Sequence, residues 1–83
     1  MEGEMMQIKD VVKRARKSMG LKQYEMAYML GVSDHTISKL ESGKSIPKVK
    51  TLREMSKFLG VNLFQVLADE YAEEIRTSSG GIL

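Results

Sequence analysis

Four glycines cut this chain into short pieces. Gly20, Gly31, Gly43 and Gly60 each follow a stretch whose apolar residues recur at helical spacing, at the point where a helix-closing residue sits. The periodicity predicts a first helix from about Gln7 to Ser18, with Ile8, Val11, Val12, Ala15 and Met19 on its inner stripe. A second runs from Gln23 to Leu30 and buries Met26, Ala27 and Leu30. The third follows Ser33, whose hydroxyl can cap its first free amides, and turns Ile37 and Leu40 inward before ending near Ser42. Pro47 blocks helix continuation in the next loop, so a fourth helix covers about Val49 to Leu59, with Leu52, Met55 and Leu59 inside. A fifth starts from Asn62 as cap, with Gln65 placed for a capping box. It buries Leu63, Val66 and Leu67 and continues through Tyr71 to about Arg76. Helices this short are unstable alone in water, so they must share one core. The expected fold is all-α, a compact five-helix domain over residues 7–76, with flexible segments at 1–6 and 77–83.

Composition narrows the function. A chain of 83 residues has room for one domain, and one that small buries only about 60% of its unfolded surface. There is no cysteine, so disulfides and thiolate metal sites are excluded, and His35 is the sole histidine, which argues against a metal site of another kind. No apolar run approaches the roughly 20 residues that cross a bilayer. The start, Met1-Glu2-Gly3-Glu4, lacks the basic and apolar stretches of a signal peptide. A cytoplasmic, nucleoid-associated protein is expected, with no membrane partner. The net charge of +2 is unevenly spread: residues 1–50 hold ten Lys/Arg against six Asp/Glu, and residues 51–83 hold three against five. A basic half points to a polyanionic partner. No nucleophile–base set, metal cluster or phosphate-cradling glycine loop is present, so neither enzymatic activity nor a cofactor is expected.

The stretch Gln23 to Ser42 carries the most information. Ala27 stands where two helices would cross, and a larger side chain would force them apart. Gly31 can take the positive backbone angle of a sharp turn, and Val32 plugs that turn into the core. Ile37 and Leu40 anchor the following helix and leave its other face free, the geometry that presents a helix to the major groove.

At these residues the sequence resembles the phage repressor and Cro type (XRE-like) of helix-turn-helix domain, whose fold is lambda-repressor-like. The resemblance covers about Ile8 to Leu67. It includes Arg16, Gly20-Leu21 and Gln23, then Ile37 through Lys44, Pro47, Leu52 and Leu59-Gly60-Val61. Two residues depart from the pattern. Lys22 stands where a small capping residue is usual, and losing that cap costs about 1 kcal/mol unless Lys22 compensates by touching phosphate. Asp34 puts an acid at the base-reading start of the recognition helix.

The resemblance implies that Gln23 binds a DNA phosphate, and that Lys44, Lys48 and Lys50 do so around the loop into the fourth helix. Lys22 joins that phosphate set, and Ser42 and Ser45 can help. Arg16 and Glu41 are expected to form a structural ion pair. For base reading the candidates are Asp34, His35, Thr36, Ser38 and Lys39. Asp34 can accept from cytosine, Lys39 can donate to guanine, and the Thr36 methyl can touch thymine. A charge at a helix amino terminus also serves the helix itself, so both roles stay open for Asp34. Met19, Met26 and Met55 are read as core, while Met29 stays open between core and a partner surface. Phe64, Ala68, Tyr71 and Ile75 recur at the spacing of a helix-pair seam, which intramolecular packing can equally use.

The expected function is sequence-specific binding of double-stranded DNA, as a repressor acting as a homodimer on a palindromic operator. The alternative is an antitoxin or adaptor that binds a protein partner and regulates its own promoter. A toxin-like reading frame beside the gene would separate the two.

Overall fold

The computed structural model describes residues 6–78, with side chains described from 6 to 75. Of the segments expected to be flexible, 1–5 and 79–83 therefore lie outside the described residues. The described chain is five helices: α1 (Ile8–Ser18), α2 (Gln23–Leu30), α3 (Asp34–Glu41), α4 (Val49–Leu59) and α5 (Leu63–Ser78). Each begins or ends within a residue or two of its expected bound, and α5 runs on past Arg76 through Thr77 to Ser78. α1 packs against α3, α4 and α5, α2 against α3 and α4, and α4 against α5.

The core is Ile8, Val12, Met26, Ala27, Ile37, Leu40, Leu52, Met55 and Leu63. Val11, Leu21, Leu30, Val32, Phe58, Leu59, Val61, Val66 and Leu67 are partly buried around it. Burying side chains of this size from water stabilises by about 1.5–3 kcal/mol each, which is what holds short helices together. Met19 departs from expectation: it is 45% exposed. It is the C-cap residue of α1, where the helix has ended, so the helical period no longer directs its side chain to the core.

Helix ends are satisfied in ways that are only partly local. Gly31 closes α2 with φ 72°, a left-handed conformation. The Val32 amide then donates to the Ala27 carbonyl at 3.0 Å and the Gly31 amide to Tyr28 at 3.2 Å, the paired bonds of a Schellman turn. Ser33 caps α3 as expected, its Oγ accepting from the Thr36 amide at 3.2 Å. Asn62 caps α5, its Oδ1 accepting from the amides of Phe64 and Gln65 at 3.1 Å each. The expected reciprocal bond from Gln65 is not made. Gln65 donates instead to Asp69 at 2.8 Å, one turn along, while Ser56 Oγ of α4 accepts from the Leu63 amide at 3.1 Å. At the start of α1, Gln7 provides no side-chain cap. The Ile8 amide donates to Glu70 Oε1 of α5 at 3.1 Å, so the last helix caps the first.

Candidate nucleic-acid interface

The turn Gly31–Ser33 sets α3 across α2, and Ile37 (0% exposed) and Leu40 (1%) fasten its inner side. What remains outward is short and polar. Asp34, His35 and Ser38 are exposed; Thr36 and Lys39 are half-buried. Thr36 is drawn to one flank, its hydroxyl 3.1 Å from Ser33 Oγ. Thr36 and Lys39 line a shallow groove with Ser33, Ser45, Pro47 and Lys48, between α3 and the start of α4. The five candidate base readers thus divide between an open face and the wall of a groove.

The far end of α3 is held by charge. Arg16 of α1 donates from Nε to Glu41 Oε2 at 2.7 Å and from Nη2 to Oε1 at 2.9 Å. Its third nitrogen, Nη1, donates to the Leu21 carbonyl at 2.7 Å. The Arg16 and Glu41 side chains are 9% and 2% exposed, so the pair lies in the domain rather than on its surface. Hydrogen bonding to Glu41 pushes the Arg16 pKa above its ordinary value, overriding the opposite effect of burial, and the attraction of the Glu41 charge adds to it. Gln23 joins them, Nε2 donating to Glu41 Oε1 at 3.0 Å. One carboxylate thereby fixes α1, the first turn of α2 and the last turn of α3. Gln23 has one amide N–H committed to this knot, leaving its second N–H and its backbone N–H, at the positive end of α2, for an anion.

Lys22 provides no side-chain cap to α2. Its compensation comes from within the chain: Glu25 Oε1 accepts from the Lys22 backbone amide at 2.7 Å, half of a capping box. The Lys22 ammonium stays exposed, as do Lys44, Lys48 and Lys50. The α3–α4 loop that carries Lys44 is tied back by its own backbone, the Lys44 amide donating to the Lys39 carbonyl at 2.8 Å. Ser42 spends its hydroxyl on the same carbonyl at 3.1 Å, and Ser45 stays exposed. Lys9 was not among the candidates, yet its stem lies beside this loop: a Cβ at Gly43 would stand 3.2 Å from Lys9 Cδ. Its position one helical turn before Lys13, on the side of α1 that also bears Arg16, is the signal that marks it.

On α5 the seam candidates all face outward. Phe64 is 38% exposed, Tyr71 65% and Ile75 46%, and Ala68 is exposed too. The helix meets its own domain through Leu63, Val66 and Leu67 instead. Met29, open between core and partner surface from sequence, is 58% exposed, and Tyr24 and Tyr28 of the same helix are exposed as well. Among the described residues no cluster of His, Asp or Glu is placed to hold a metal ion, and no helix is long and apolar enough to cross a membrane.

Comparison with known proteins agrees with this geometry. A helix-turn-helix family model matches residues 12–66. The chain is 37% identical over 62 residues to the SPbeta prophage-derived uncharacterized HTH-type transcriptional regulator YonR of Bacillus subtilis (strain 168), covering 75% of this chain and 57% of that protein. It is 35% identical over 65 residues to the HTH-type transcriptional activator BcrR of Enterococcus faecalis, covering 78% of this chain and 32% of that one. It is 38% identical over 53 residues to the ImmF control region 10 kDa protein of Bacillus phage phi105, covering 64% of this chain and 59% of that one. The chain therefore spans between about a third and three fifths of the length of these relatives. With the family match spanning more than half of the chain, and with Gly31 turning an exposed α3 across α2, the protein belongs to the helix-turn-helix family of the phage repressor and Cro type.

Proposed function

We propose that this chain binds double-stranded DNA sequence-specifically and regulates transcription, as a repressor that sits as a homodimer on a palindromic operator. The observation that carries the reading is α3 itself: its inner side is closed by Ile37, Leu40 and Glu41, and Asp34, His35 and Ser38 stand exposed beside exposed lysines. In this reading α3 enters the major groove and reads base edges with Asp34, His35, Thr36, Ser38 and Lys39. Lys22, Gln23, Lys44, Lys48 and Lys50 hold phosphates on either side. The outward face of α5, with Phe64, Ala68, Tyr71 and Ile75, supplies the two-fold contact that a palindromic site calls for.

The test is affinity for DNA fragments from the gene's own upstream region against unrelated duplex, across a salt series. Tight binding to one fragment that persists at moderate salt, and that His35→Ala and Lys39→Ala weaken, supports an operator-binding protein. Weak binding that is equal on all fragments and vanishes with salt refutes it.

A second reading, an adaptor that also engages a protein, is favoured by the outer face of α2. Tyr24, Tyr28 and Met29 are 59%, 87% and 58% exposed there. It predicts that Tyr28→Ala leaves DNA affinity intact while abolishing regulation of a promoter reporter. Unchanged regulation would dismiss it.

A further inference from the structure

The basic half of the chain holds more cations than the interface above employs. Lys9, Lys13, Arg14, Arg16 and Lys17 all lie on α1, against a single acid, Asp10. Arg16 is committed to Glu41. Arg14 turns to Met6, its Nη1 3.5 Å from Met6 Sδ, in a shallow depression that Asp10, Lys13 and Lys17 also line. Lys9, Lys13 and Lys17 recur at every fourth residue, so they form one strip adjoining the Arg16 side of the helix.

Two contacts locate that strip. Near the start of α1, the Lys9 stem passes beside Gly43, immediately after α3. Two turns later, Arg16 reaches Glu41, in the last turn of α3, and through it Gln23. α1 thus runs along the C-terminal end of the recognition helix. Lys13 lies between these two anchor points, and Lys17 lies where the short connection leads to Lys22 and Gln23. Both are exposed, and among the described residues neither is engaged in an ion pair, Asp10 included.

We propose that Lys13 and Lys17 extend the DNA-binding surface along α1 by holding backbone phosphates beside the groove that α3 enters. The proposal rests on the DNA-binding reading and deepens it. It gives the domain a sequence-independent arm, separate from the loop lysines and from the base-reading face. Lysine suits this role, because a point charge on a flexible stem neutralises phosphate without demanding a fixed base register. Each phosphate so neutralised releases counterions and contributes about 0.9 to the slope of log affinity against log salt.

The experiment measures affinity by fluorescence anisotropy for an upstream fragment and for an unrelated duplex, from about 50 to 200 mM salt. Lys13→Gln/Lys17→Gln is expected to flatten the slope by about 1.8 on both duplexes, leaving their affinity ratio unchanged. Lys57→Glu removes the same net charge in the last turn of α4 and is expected to leave the slope at the parent value. Lys13→Arg/Lys17→Arg retains the charge and is expected to retain the slope, which separates lost contacts from lost fold. A parent-like slope in the glutamine variant overturns the proposal. So does equal flattening by Lys57→Glu, since the effect is then diffuse charge. If the parent chain binds neither duplex, the DNA-binding reading itself falls, an outcome distinct from failure of the α1 arm alone.

Discussion

Removing Arg16 tests the central knot most directly. Arg16→Met takes away two of the three hydrogen bonds that Glu41 accepts, leaves Gln23 as its one partner, and deprives the Leu21 carbonyl of its donor. The Glu41 side chain is 2% exposed, so water cannot replace what is lost without the helices parting. Breaking a buried pair in this way costs about 3–5 kcal/mol, against about 0.2–1 kcal/mol for exposed pairs. A small domain has only about 5–15 kcal/mol in total, so the variant gives up at least about a fifth of its stability. Urea unfolding followed by circular dichroism reads this as a lower midpoint at unchanged slope. Replacing both partners, Arg16→Met with Glu41→Leu, removes the stranded charge, and the double variant is expected to be more stable than Arg16→Met alone. The pair then shows a coupling energy of about 1–3 kcal/mol. The pH sign follows from the raised Arg16 pKa. Its contribution is fully present below the ordinary arginine value and is lost only as pH rises through the still higher folded value. The cost of Arg16→Met should therefore be flat between about pH 6 and 9. A cost below about 1 kcal/mol, or two single substitutions that simply add, would refute the account of a buried and cooperative pair.

Three further outcomes check the helix ends and the core. Gly31→Ala meets no atom within 4 Å, so its penalty is the left-handed backbone alone, about 1–2 kcal/mol by urea unfolding, and a clash-sized loss would contradict this. Ser33→Ala removes the cap of α3 and should cost about 1 kcal/mol, with DNA affinity falling further than stability if the same turn also positions the recognition helix. Met26→Ala should cost about 2–5 kcal/mol and Met19→Ala within about 0.5 kcal/mol, since the first is fully buried and the second 45% exposed; comparable losses at both would return Met19 to the core.

What could be read from the sequence was what neighbours along the chain decide. Gly31 with Val32, Ser33 with Thr36, and the Ile37–Leu40 pair act within a turn of one another, so composition and spacing disclose them. Arg16 and Glu41 lie 25 positions apart and were paired through family resemblance, not through any local pattern. The bonds that escaped are those that distant segments make. Glu70 stands 62 positions from Ile8, and no rule of helix capping looks that far. Ser56 meets the Leu63 amide because α4 and α5 pack together, while Gln65, free of that geometry, takes the easier partner one turn away. Met19 shows the same limit from the other side: it lies one residue beyond the helix whose period points it inward. At the interface, the outward side of α3 was legible from its inward anchors. The engagement of Gln23 by Glu41 was not, since it depends on how three helices converge.

The bond from Ile8 to Glu70 has a consequence for how the domain breathes. An amide in the first turn of a helix ordinarily exchanges its hydrogen with water almost freely, because nothing inside the helix protects it. Here the protecting oxygen belongs to α5, so the Ile8 amide can exchange only when the last helix lifts or Glu70 swings away. Its protection factor is therefore a single-residue gauge of α5 docking, readable on the opposite end of the chain. If a second molecule clamps the outward face of α5, that gauge should rise although nothing near Ile8 has been touched.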